Sequence, residues 1–210
     1  TFVSICLVVL FFEDIFLQKP AEKTAIGVVK VADGNVRVKY PGFVNWFNLK
    51  QGQFVRSKSL VFTSKDARAT YVLIDGTVIN QDPETLLKLA FKIKKQKNKS
   101  GKNVTLENID LSLTKGSVAI TTSPPETKGN SKDINLNKNT FRIKGEDSLI
   151  KVDKSKQKDD AYDLAVIKGK VDYVDKKGES LTLEKGERVA GIRDSQAATV
   201  ADAPKKEKVP

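Results

Sequence analysis

One phrase recurs along this chain and limits what it can become. It runs apolar residue, lysine or another polar residue, glycine, one or two residues, valine. It appears as LKQGQFV (49–55), LTKGSV (113–118), VIKGKV (166–171) and LEKGERV (183–189). Around each copy, apolar and polar residues alternate, as at Leu181, Leu183 and Val189. Alternation with a period of two belongs to a strand with one face buried. Glycine reaches positive φ without steric cost, so each copy reads as two short strands joined at a tight turn. The spacing between copies is irregular, which excludes a strict repeat of fixed period. The expected fold is therefore all-β: short strands with glycine turns, in a solenoid-like or a sandwich-like arrangement.

The ends of the chain read differently. TFVSICLVVLFFEDIFLQKP opens with residues 2–12 apolar except Ser4. That run falls short of the roughly 20 residues needed for a full membrane span. It lacks the polar stripe of an amphipathic helix packed on a domain. Residues 1–19 are expected to be an apolar helix, either a signal segment or the end of a membrane anchor that begins upstream. The chain contains no methionine, which also points to a start upstream of residue 1. The β body is expected over 26–192, in lobes of about 26–120 and 134–192 separated by a Pro/Gly/Ser-rich loop at 121–133. Residues 193–210 carry no apolar pattern and read as a disordered tail.

Within the body, IGVVKVADGNVRVKY places Asp33-Gly34 between two alternating runs, a hairpin signal. SLVFTS, ATYVLID and TVINQ follow as further strands. PETLLKLAFKI has a helix-like start at Pro83, but Leu87, Leu89, Phe91 and Ile93 alternate with lysines, so a strand is expected. KIKKQKNKSGKN then reads as a solvated basic loop, with Lys92, Lys94, Lys95, Lys97, Lys99 and Lys102. Phe43, Trp46 and Phe47 are large enough to fill a thin β interior and are expected there.

Little in the sequence supports catalysis. There is no histidine, and the lone Cys6 can form neither a disulfide within the chain nor a thiolate metal site. Asp75 in LIDGT could be a general base, but that requires a titratable partner at working distance. Asp-Gly needs no partner to turn a chain, so Asp75 and Gly76 are read as a turn. On that reading Gly76→Val should harm folding more than Asp75→Asn. The acidic residues Asp153, Asp159, Asp160 and Asp163 are interleaved with lysines and lack a calcium-loop glycine. No catalytic, cofactor or metal residue is nominated.

Several of these segments, in this order, resemble the FecR family of bacterial extracytoplasmic regulators. WFNLKQGQFV…SLVFTSKDARATYVLIDGTVI carries the family pattern at Trp46, Leu49, Gly52, Val55, Thr63, Ser64, Ala69, Leu73, Asp75, Gly76 and Thr77. LTKGSVAI supplies Gly116 and Val118; the closing strands supply Val166, Gly169, Val171, Leu183, Gly186 and Glu187. The resemblance implies a solenoid-like, membrane-tethered domain outside the cytoplasm that engages an envelope protein rather than catalysing a reaction.

The net charge of +11 is dominated by lysine. Nucleic-acid readers favour arginine and aromatic residues, so no nucleic acid is expected as a partner. The lysines from 92 to 102 instead suit an anionic surface, and the alternative function is a structural envelope module that holds wall polymer or lipid headgroups.

Overall fold

The computed structural model describes residues 25–97, 103–122, 132–136, 139–143, 147–154, 161–174, 180–193 and 206–208, and their regular structure is all β. The expected helix over 1–19, residues 123–131 and most of the tail lie outside the described residues.

The strands form two layers, and the chain passes back and forth between them. β1 (Ala25–Asp33) lies in the first layer, β2 (Val36–Lys39) and β3 (Phe47–Asn48) in the second. β4 (Phe54–Arg56) returns to the first and β5 (Ser59–Thr63) to the second. β6 (Arg68–Leu73) and β7 (Val78–Gln81) pair in the first layer, and β8 (Leu86–Lys97) joins β5 in the second. β9 (Asn103–Thr122) belongs to both. Up to Lys115 it pairs with β8; from Gly116 onward it pairs with β12 (Ser148–Lys154), and residues 118–121 also pair with β7.

Beyond β9, whole hairpins alternate. β10 (Lys132–Leu136) and β11 (Asn139–Ile143) lie in the second layer, β12 and β13 (Ala161–Lys168) in the first. β14 (Lys170–Val174) and β15 (Ser180–Glu184) return to the second, and β16 (Glu187–Arg193) and β17 (Lys206–Lys208) to the first. Each later hairpin docks on the hairpin two before it, β14 on β11 and β16 on β13. Through β9 the layers connect as one 17-stranded sheet. Among the described pairings, β9 with β10 is the parallel one, with Ile134 opposite Ile109. The described strands thus form two layers that join through β9 in one open sheet.

Alternation explains the packing. Val36 and Val38, Val61, Tyr71 and Leu73, Leu87 and Leu89, and Ile109, Leu111 and Leu113 all point inward. They join Ile134, Phe141, Val152, Leu164, Val171 and Val189 in a single core cluster. Burying each such aliphatic side chain contributes about 1.5–3 kcal/mol before the cost of ordering it.

Three local expectations change. β1 and β2 do not pair with each other, so Asp33-Gly34 is a corner between layers rather than a hairpin. The expected basic loop begins as strand: Lys92, Lys94, Lys95 and Lys97 lie on β8, opposite Asn108, Leu106, Thr105 and Asn103 of β9. Lys99 and Lys102 lie outside the described residues. In the expected tail, residues 206–208 pair with β16. PETLLKLAFKI does enter a strand, which begins at Leu86.

Candidate functional site

The glycines of the recurring phrase mark the corners. Gly52 stands between β3 and β4, Gly116 at the layer change within β9, Gly169 between β13 and β14, and Gly186 between β15 and β16. Each has φ between 80° and 93°, in the left-handed region. Lys58 and Glu84 adopt φ of 67° and 54° at the corners into β5 and β8. Gly76, with φ of 79°, differs: it turns β6 into β7 within one layer. Asp75-Gly76 is therefore a hairpin turn and not one of the layer-changing corners.

Asp75 does more than turn the chain. Its Oδ1 accepts the Thr77 N–H at 3.1 Å, and its Oδ2 accepts the Thr77 hydroxyl at 2.7 Å. Oδ2 also lies 2.8 Å from Lys132 Nζ, with the side chains of lysine and aspartate 2% and 1% exposed. Lys132 donates as well to the Asp75 carbonyl at 3.4 Å and to Thr77 Oγ1 at 3.3 Å. Lys132 opens β10 in the second layer, so this buried ion pair ties the layers together. The sequence held a signal for it: Lys132 is in phase with Ile134 and Leu136, on the face that alternation buries. A lysine there needs a carboxylate partner.

A second buried network lies at the other end of the β6–β7 hairpin. Tyr71 donates its hydroxyl to Gln81 Oε1 at 2.9 Å. Gln81 Nε2 donates to the carbonyls of Val61 at 3.2 Å and Thr85 at 2.9 Å, crossing the layers. Thr63 Oγ1 donates to the Asp82 carbonyl at 2.6 Å and accepts the Thr85 N–H at 3.1 Å. Thr85 Oγ1 in turn accepts the Ser117 N–H beside Gly116, at 3.0 Å.

These groups hold one another. Both Asp75 carboxylate oxygens are taken up by Thr77 and Lys132, which leaves the carboxylate aimed at the fold rather than at solvent. Among the described residues, no group of three or more carboxylate or thiol side chains could hold a metal ion. Asp163 accepts the Gly191 N–H at 2.8 Å, whereas Asp159 and Asp160 lie outside the described residues.

The aromatic expectation is overturned. Residues 41–48 are all exposed: Phe43 by 39%, Val44 by 83%, Trp46 by 39% and Phe47 by 40%. Among the described strands, β3, which carries Phe47, pairs only with β2 and stands at an edge, where no described strand covers it. Phe43 packs edge-on against Phe47 at 5.7 Å, and Phe47 packs on Tyr40 at 5.9 Å. The Arg56 guanidinium lies 4.4 Å from the Tyr40 ring centre.

The FecR protein family profile matches residues 59–172, more than half of the chain, and the chain belongs to that family. Two crystal structures of a candidate anti-sigma factor from Parabacteroides distasonis ATCC 8503 are also similar. One shows 15% identity and a TM-score of 0.48, the other 14% and 0.47. Each likeness covers 71% of this chain and 59% of the other, so the chain spans less than two thirds of the length of those structures. No curated protein matches.

Most positions that carry the resemblance in the sequence map to the architecture just described. Leu49, Val55, Ala69, Leu73, Val118, Val166, Val171 and Leu183 are buried; Gly52, Gly116, Gly169 and Gly186 are corners. Glu187 accepts the Glu184 N–H at 2.7 Å and closes the last corner. Trp46 is the exception, because it faces outward.

Proposed function

We propose that this chain is the extracytoplasmic part of a membrane-tethered FecR-type regulator, and that it signals by binding an envelope protein. The observation that carries this reading is that the signature, Trp46 apart, is used up inside the fold. Asp75, Thr77, Thr63 and the glycines build the fold, so recognition falls to the surface. A phosphatase fused after Pro210 should be active only when the chain is exported, and inactivity would remove the extracytoplasmic placement. Deleting the gene should shift transcript levels of a restricted gene set, and an unchanged transcriptome would count against regulation.

The β8–β9 arm supports a second reading, a module that holds wall polymer or anionic lipid. Residues 94–97 and 103–106 pair only with each other among the described strands, and Lys94, Lys95 and Lys97 lie on the β8 side of this basic arm, with Lys92 just before it. Neutralising the lysines between 92 and 102 should abolish salt-sensitive retention on purified cell wall. Undiminished retention would dismiss this role.

A further inference from the structure

Most of the exposed large apolar side chains lie where the chain enters the domain. Ala25, the first residue of β1, is paired with Arg56. Arg56 covers Tyr40, Tyr40 packs on Phe47, and Phe47 packs on Phe43. Phe54, 54% exposed, stands on the same outward face of β4 as Arg56. Ile74 is also exposed, and its N–H donates to the Ile26 carbonyl at 2.9 Å. Phe43, Val44, Trp46, Phe47, Phe54 and Ile74 thus gather around the entry of β1.

Arg37, Lys39 and Arg56 lie on the strands that carry this patch, residues 34–65 contain no aspartate or glutamate, and Asp75, next to Ile74, is neutralised by Lys132. Aromatic side chains beside cations, with no acid among them, match the interface of an anionic bilayer, where rings sit at headgroup depth and lysine or arginine meets phosphate. Strand addition by a peptide suits the patch less well, because its edge strands span two and three residues. Upstream, residues 13–24 separate the patch from the apolar run 2–12.

We infer that the loop 41–48, with Phe54 and Ile74, docks on the surface of an anionic lipid bilayer and fixes the orientation of the domain on it. The inference rests on the membrane-tethered reading above. Twelve linking residues reach at most about 40 Å when extended, so a tether at 2–12 keeps this end close to the headgroups.

Trp46 is the only tryptophan in the chain and reports directly. The full chain is reconstituted in vesicles of phosphatidylcholine and phosphatidylglycerol that carry bromine on the upper acyl chain. The chain should float with the vesicles, and Trp46 emission should shift to the blue and lose most of its intensity. Val44→Asp, at a position too exposed to disturb the core, should restore the emission while flotation persists. Flotation with unquenched Trp46 in the parent chain would overturn the docking and leave the tether standing. Failure to float would remove the tether and the docking with it. Quenching that survives Val44→Asp would also overturn the docking loop.

Discussion

At the level of single residues, the Asp75–Lys132 pair changes how substitutions should rank. Removing one partner of a buried ion pair strands the other, at a cost of about 3–5 kcal/mol. Lys132→Met should lower the urea-derived unfolding free energy by that order, and Asp75→Asn should be similarly costly. Gly76→Val places a β-branched residue at φ of 79°, which costs a few kcal/mol at most. The ranking expected from the turn alone is thereby lost. In the Asp75→Asn/Lys132→Met double variant the losses should be far from additive. Full additivity would show that the two groups do not interact. The turn at LIDGT was legible in the sequence because Asp-Gly has a local cause. Its partner was not, because it lies 57 positions away and only the phase of Lys132 with Ile134 and Leu136 hinted at it.

Tyr71 adds a pH dependence at the same scale. Burial pushes its phenol well above the usual value of 10.0. Above that pH the unfolded chain releases a proton that folded Tyr71 retains, so stability is complete below pH 10 and falls as pH rises further. Tyr71→Phe should flatten part of this alkaline loss, as read from unfolding midpoints at rising pH. An identical pH profile would show that burial of the phenol is not its source.

At the level of elements, the corners carry unequal loads. A methyl group on Gly116 would meet Thr85, with its Cα at 2.6 Å, in addition to the strain at φ of 93°. A methyl on Gly186 meets nothing within 4 Å. Gly186→Ala should therefore cost about 1–2 kcal/mol, from the left-handed backbone alone. Gly116→Ala should cost clearly more, because the Thr85–Ser117 hydrogen bonds must shift as well. Equal unfolding midpoints would contradict this. The recurring phrase made these elements readable, since alternation and glycine act locally. It did not say which turns fold back within a layer and which cross. Asp33-Gly34 has the sequence of a hairpin, yet it crosses, because β1 finds its partners in β4 and β6 rather than in β2. Phe43, Trp46 and Phe47 were misplaced for a related reason. Size favours burial, but an edge strand of two residues leaves no second layer to cover them.

At the level of the whole molecule, protection should be graded. β5 to β9 are joined by Gln81, Thr63 and Thr85 across both layers, whereas β3, β4, β15 and β17 lie at the edges. Amide hydrogen exchange should be slowest in β6, β7 and the 109–120 part of β9, and fastest in the edge strands. Uniform exchange would refute this gradient. The family membership sits at the same scale, since its profile begins at β5 and ends within β14, the stretch where the two layers are stitched together.

The alternate placing of hairpins also imposes a parity rule on how such a domain can change length. From β10 on, one step consists of a hairpin in each layer, as in β10–β13 and again in β14–β17. Adding or losing a complete step leaves every later strand in its own layer. Losing a single hairpin would send all that follows to the opposite layer, with each corner turning the wrong way. Relatives of this chain should therefore grow and shrink by two hairpins at a time, one in each layer, so that their hairpin numbers share a parity.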